Sequence, residues 1–304
     1  MATRLTAGSF SPSVLLDLAR GSGRLAEQGL EVTEVPVASS PGQFRSLVDG
    51  ELDVALTSPD NVIAYRFNRA NPLGELLDAR IVGAVDRGMG LGLYARPGLG
   101  IADLPGRRVG VDVPTSGYAL ALYAVLDSFG IARDEVELVT LGSTPKRREA
   151  LAAGECDATL LNAGNDLVAE RAGAVLLASV PEVVGPYLGT VVATVGEAHL
   201  DEAVRLSRAL AATATDVVRG GLGDEALAAA RTRLSVDDDT ARRYVERFRS
   251  PVHGLVADGH VDAAALTTLV TLRRRYLPEP LDDGRDAVDR ALDDDSGLLW
   301  AARR

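Results

Sequence analysis

A pattern that recurs at one fixed spacing governs what this chain can fold into. Gly50-Glu51-Leu52-Asp53-Val54-Ala55-Leu56-Thr57 reappears as Gly154-Glu155-Cys156-Asp157-Ala158-Thr159-Leu160-Leu161, 104 residues further on. The same spacing carries Arg4-Leu5-Thr6-Ala7-Gly8 onto Arg108-Val109-Gly110-Val111-Asp112, Ser9-Phe10-Ser11-Pro12-Ser13 onto Val113-Pro114-Thr115-Ser116-Gly117, and Ser39-Ser40 onto Ser143-Thr144. A single coincidence of small loop residues would mean little. Several strand-to-loop junctions sharing one offset mean two copies of one supersecondary unit.

Each copy alternates strand and helix, the pattern of a parallel sheet covered on both faces. The first copy reads as strands at 4–8, 30–37 and 53–57 with helices at 13–20, 41–49 and 61–69. The second reads as strands at 107–112, 136–141 and 157–161 with helices at 117–129, 145–153 and 164–172. Residues 80–85, 90–95 and 187–194 read as further strands. Beyond 199 the chain reads as helices at 199–219, 223–233, 237–249 and 261–276, with Asp237-Asp238-Asp239 supplying acids to a first turn. The charged segment 282–304 is expected to fray, apart from Leu298-Leu299-Trp300.

Composition narrows the function classes. Lys+Arg 32 against Asp+Glu 43 leave a net charge of −11, a field that repels phosphate backbones and anionic headgroups. Nucleic acid is not an expected partner, and no apolar stretch of the roughly 18 residues that a span needs suggests membrane insertion. Cys156 is the only cysteine, so disulfides and cysteine-rich zinc sites are excluded; it aligns with Leu52 and reads as a buried structural thiol. His199, His253 and His260 have no second histidine or cysteine at ligand spacing, and neither metal nor cofactor is expected. There is no G-x-S-x-G elbow, P-loop or C-x-x-C. The G-x-G-x-x-A matches beginning at Gly90 and Gly221 lack the strand–turn–helix context that a dinucleotide needs. The first ten residues carry no apolar leader or cleavage pattern. As written the chain is expected in the cytoplasm, or in the periplasm or outside the cell if a leader was trimmed, and as a monomer.

In open parallel sheets ligands bind beyond the carboxyl ends of the strands. Those ends are rich in Ser, Thr, Asn and Gly, which beside free N–H groups at helix N-termini make donor pockets for oxygen atoms. The candidate ligand-binding residues are Ser9, Phe10, Ser11, Ser39, Ser40, Ser58, Asp60 and Asn61 from the first copy, and Thr115, Ser116, Gly117, Tyr118, Ser143 and Asn162 from the second, with Arg87 and Tyr187 beside them. Ser11, Ser13, Thr115 and Ser116 also suit ordinary helix caps, and the aromatics also suit the core. With aromatics at only 4%, Phe10, Tyr118 and Tyr187 are the ones nearest the loops. Arg87 is the one strong cation expected near the cleft, so a multiply charged anion is disfavoured.

These residues resemble a family, the type II periplasmic substrate-binding proteins of the nitrate/sulfonate/taurine and thiamine-precursor group, called SsuA/THI5-like or NMT1-like. The resemblance rests on Ser46-Leu47-Val48-Asp49-Gly50-Glu51-Leu52-Asp53-Val54-Ala55, Leu104-Pro105-Gly106-Arg107-Arg108-Val109-Gly110-Val111, the Thr115-Ser116-Gly117 helix start, Ala150-Leu151-Ala152-Ala153-Gly154-Glu155-Cys156-Asp157-Ala158, and Gly259-His260-Val261-Asp262 followed by Leu272-Arg273-Arg274-Arg275-Tyr276. It implies an α/β, two-lobed type II periplasmic-binding-protein fold, each lobe a mostly parallel sheet flanked by helices, with the C-terminal helices packed on the first lobe. Residues 1–92 with 190–304 would form one lobe and 93–189 the other, joined by a two-stranded hinge near 85–95 and 187–195. The implied function is binding of a small organic, oxygen-rich molecule, a sulfonate, carboxylate or heterocycle, with an ABC permease as partner. Two alternatives stand beside it. One is a leaderless cytoplasmic enzyme of this fold, a decarboxylase, isomerase or lyase on an aromatic or heterocyclic acid, with Asp60, Asp86 and Arg87 as first candidates. The other is a cytoplasmic ligand sensor.

Overall fold

In the computed structural model, which describes residues 2–300, the two copies become two five-stranded sheets. The first half runs β1 (Thr3–Ser9), α1 (Val14–Gly21), α2 (Arg24–Glu27), β2 (Leu30–Pro36), α3 (Ser40–Val48), β3 (Val54–Thr57), α4 (Pro59–Phe67) and β4 (Ala79–Asp86). After β5 (Gly92–Ala95) come β6 (Arg108–Val111), α5 (Gly117–Ser128), β7 (Glu137–Thr140), α6 (Thr144–Ala153), β8 (Ala158–Leu161), α7 (Asn165–Arg171), β9 (Val175–Ser179) and α8 (Val180–Val184). The chain ends with β10 (Thr190–Val195), α9 (Leu200–Val218), α10 (Gly223–Leu234), α11 (Asp238–Arg247) and α12 (Ala263–Tyr276). The strand orders are β2-β1-β3-β10-β4 and β7-β6-β8-β5-β9. In each sheet the fourth strand is antiparallel to its neighbours and has crossed from the other half, β10 into the first sheet and β5 into the second.

The pairing register corrects the duplication at one strand. Val54 sits beside Ala7, and its counterpart Ala158 sits beside Val109, so the first strands are related by 102 residues rather than 104. The packing agrees. A Cβ on Gly8 would meet Leu52 and Val37, and one on Gly110 would meet Cys156 and Leu141, which are the counterparts at 104. Asp53 accepts from the backbone N–H of Thr6 and Asp157 from that of Arg108. A slip of two keeps every side chain on its own face of the sheet, so alternation in the sequence cannot reveal it.

Three helix starts follow directly from the sequence. Ser13, Ser58 and Ser116 accept from the backbone N–H groups of Leu16, Asp60 and Ala119 and start α1, α4 and α5. α5 is apolar nearly all round and is buried accordingly, against α8 and α12. Among the C-terminal helices α9 covers β4 and β10 and α10 covers α1, both on the first half. The other two also reach the second half, α11 touching α7 and α12 lying between α4 and α5.

Three elements were not legible beforehand: the single turn α2, the edge strand β9, whose Val175 and Leu176 are exposed, and the short α8. The segment expected to fray instead packs onto the first sheet. A 3-10 turn spans Ala287–Leu292 with Val288 buried, and Arg66 donates to the Ser296 carbonyl; Leu298 and Trp300, which the expectation of fraying excepts, exchange backbone hydrogen bonds with Ile81. Residues 301–304 of that expectation lie outside the described residues. No helix among the described residues is long and apolar enough to cross a membrane.

Candidate ligand-binding cavity

The carboxyl ends of the two sheets face each other across a cavity of about 110 Å³, the space of roughly eight to ten waters. The first half contributes Ser9, Phe10, Ser11, Pro12 and Ser13 after β1, Thr57, Ser58 and Asn61 after β3, and Asp86 at the end of β4. The second half contributes Asp112, Ser116, Gly117 and Tyr118 after β6, Ser143, Thr144 and Arg147 after β7, and Asn162 and Ala163 after β8. Tyr244 and Phe248 close one side from α11 and the residue just beyond it.

The halves also touch directly. Asn165 Nδ2 donates to Ser11 Oγ at 3.5 Å. A Cβ at Gly117 would come within 2.6 Å of the Asp60 Cβ, so only glycine lets α5 approach α4 this closely. Met89 and Ala163 both have positive φ, 48° and 53°, line the cavity, and share the Ala163 N–H to Met89 carbonyl bond. Such conformations persist where surroundings over-determine them. Here the Met89 carbonyl is also held by Arg247, and the Gly88 carbonyl by Asn162.

Arg147 is the only basic side chain in the lining, and Asp86 and Asp112 the only acidic ones. Arg147 is 2% exposed and donates to the carbonyls of Gly142 (2.6 Å) and Leu160 (3.3 Å) and to Thr144 Oγ1 (3.0 Å). Among the described residues it ion-pairs with none, and burial lowers its pKa against the pull of the Asp112 charge. Burial pushes the Asp112 carboxyl up by more than Arg147 and the Ser116 hydroxyl draw it down. Burial likewise raises Asp86, although Thr190 and the Gly88 N–H donate to it. Tyr118 accepts from Asn162 Nδ2 at 2.9 Å, and burial and the two carboxylates hold it in its neutral form.

The protein therefore has an inverted acid dependence at these groups. A carboxyl with a raised folded pKa binds protons more readily in the fold than in the unfolded chain, so its ionisation lowers stability as pH rises through the folded value. Asp86→Asn and Asp112→Asn are expected to lessen the loss of melting temperature between mildly acidic and mildly alkaline pH. Unchanged pH profiles in both variants would contradict this assignment. Ser116→Ala removes both a cap and the hydroxyl donor of Asp112. It should cost about 1–2 kcal/mol, read by denaturant unfolding.

Of the residues marked from sequence, Ser9, Phe10, Ser11, Ser58, Asn61, Ser116, Gly117, Tyr118, Ser143 and Asn162 lie in the lining. The others do not. Ser39 caps α3, and Ser40 is buried beside the Tyr65 hydroxyl. Thr115 turns its carbonyl to Arg273. Tyr187 is buried outside the lining, with no hydrogen-bond partner for its hydroxyl among the described residues. Asp60 faces α12, where Arg273 Nε donates to its Oδ1 at 2.9 Å; consecutive helical residues point about 100° apart, so Asn61 enters the cavity and Asp60 does not. Arg87 donates to the Leu255 carbonyl at 2.8 Å and is replaced as the cleft cation by Arg147. Asp60, Asp86 and Arg87 thus do not converge as a catalytic set. Cys156 is buried, its thiol pushed up to about 11.

Two sheets of one topology, exchanging their antiparallel strands and enclosing a cavity between their carboxyl ends, define the type II periplasmic-binding-protein architecture. The profile of the family described as NMT1/THI5 like matches residues 16–216, and the chain belongs to that family. Among solved structures, the alkanesulfonate-binding protein SsuA from Xanthomonas axonopodis pv. citri, bound to MOPS, superposes with a TM-score of 0.73 at 18% identity, covering 99% of this chain and 100% of its own. The periplasmic nitrate-binding protein NrtA from Synechocystis PCC 6803 gives 0.74 at 12% identity, with 95% and 86% covered. A Candida albicans protein described as exhibiting the generic periplasmic binding protein fold gives 0.70 at 14%, with 98% and 96% covered.

Proposed function

We propose that this chain is a substrate-binding protein of the ABC-importer type, which holds one small organic molecule between its two halves and releases it unchanged. The observation that carries this reading is the cavity itself, whose walls come from matching strand ends of both sheets. Residues 1–92 with 190–304 and residues 93–189 act as the two bodies, and 85–95 with 187–195 as the hinge. The ligand is contacted by the residues that line the cavity. The alkanesulfonate- and nitrate-binding neighbours support an exported protein that delivers to an ABC permease.

The test is native mass spectrometry after the purified protein has been exposed to a small-molecule extract and washed. One retained molecule per chain, recovered with its mass unchanged after prolonged incubation, is expected. Recovery of a transformed molecule would replace binding by catalysis.

A further inference from the structure

The charge of the cavity restricts the ligand beyond its size. Two carboxylates and one guanidinium line it, and no side chain among the described residues ion-pairs with any of the three. With both carboxylates ionised the cavity carries −1. An anion would raise this to −2 in a setting of low dielectric, whereas a monocation would cancel it. The guanidinium is not waiting for a ligand anion alone, because three of its N–H groups are already spent on Gly142, Thr144 and Leu160.

The apolar walls agree. Phe10, Tyr118, Tyr244 and Phe248 line the same space, and aromatic faces attract organic cations.

Taking the small-molecule-binding reading as given, we infer that the ligand is an organic monocation, a protonated amine or amidinium whose N–H groups donate to Asp86 and Asp112 and whose carbon skeleton lies against Phe10, Tyr244 and Phe248. Asp86 faces the Gly88 N–H, Thr190, Arg87, Tyr118 and Tyr244; Asp112 faces Ser116, Arg147, Tyr118, Tyr65, Tyr123 and Tyr187. The raised affinity of both carboxyls for protons makes proton and cation competitors, so binding tightens as pH rises through the carboxyl titration.

The experiment is calorimetric titration with four probes of one skeleton: benzylammonium, benzyl alcohol, benzoate and benzenesulfonate. Benzylammonium is expected to bind at least about tenfold more tightly than the others at neutral pH. It should weaken on acidification and lose its advantage in both Asp86→Asn and Asp112→Asn. Equal or tighter binding of benzoate or benzenesulfonate overturns the inference, as does a benzylammonium affinity that ignores pH and both variants, or no heat from benzylammonium at millimolar concentration. Retention of an extract molecule by native mass spectrometry separates these failures from failure of the binding reading: a retained anion sinks the charge assignment alone, and no retained molecule sinks the reading beneath it.

Discussion

Replacing Arg273 by methionine is expected to lower the unfolding free energy by about 3–5 kcal/mol, because it leaves an uncompensated charge in the interior. Asp60 is 0% exposed and Arg273 2%. The guanidinium engages both carboxylate oxygens and also donates to the Thr115 carbonyl at 3.0 Å. One side chain thus ties α4 of the first half and the start of α5 in the second to α12. The Asp60→Asn, Arg273→Met double variant should be less destabilised than the sum of the singles, since no buried charge is then left alone. Denaturant unfolding of the four proteins measures the coupling. Additive losses would mean that the pair is incidental to the fold.

The second large effect is expected at Gly189, where the chain returns to the first sheet. A Cβ there would come within 2.4 Å of the Gly88 Cα, 2.6 Å of the Gly88 nitrogen and 2.6 Å of Asp86 Oδ1. Two of these atoms are backbone, and Gly189 itself donates to the Asp86 carbonyl at 3.0 Å, so the strain cannot be relieved by turning a side chain. Gly189→Ala should cost about 1–3 kcal/mol by overpacking. It should also weaken ligand retention, because the displaced atoms are Asp86 and the crossing segment that forms the wall. Loss of stability with undiminished retention would show that this corner does not shape the site.

The sequence revealed the architecture because the duplication repeats at strand-to-loop junctions, where small residues are dictated by tight turns and helix caps. Ser13, Ser58 and Ser116 were visible for that reason, and the loops that they start do line the cavity. Arg147 was missed because Lys146-Arg147-Arg148-Glu149 reads as the charged, solvated start of the helix at 145–153. The fixed spacing held the missing signal: Arg147 is the counterpart of Gln43, and both donate inward, Gln43 toward the Leu56 carbonyl and Arg147 toward that of Leu160. Asp60 was misplaced because its partner lies 213 residues away, a separation that no local pattern encodes. Tyr244 and Phe248 stand one helical turn apart and pack edge to face, so their spacing reads as core even though both also border the cavity. Asp112 was hidden by the two-residue slip, which set it opposite Gly8 in the assumed alignment.

The most direct test of the account is amide hydrogen exchange with and without the molecule retained from an extract. A ligand held between the halves should slow exchange together at residues 9–15 and 57–61 of the first half and at 112–118, 143–147 and 162–165 of the second. Protection confined to one half, or lying away from these loops, would contradict a site built from both.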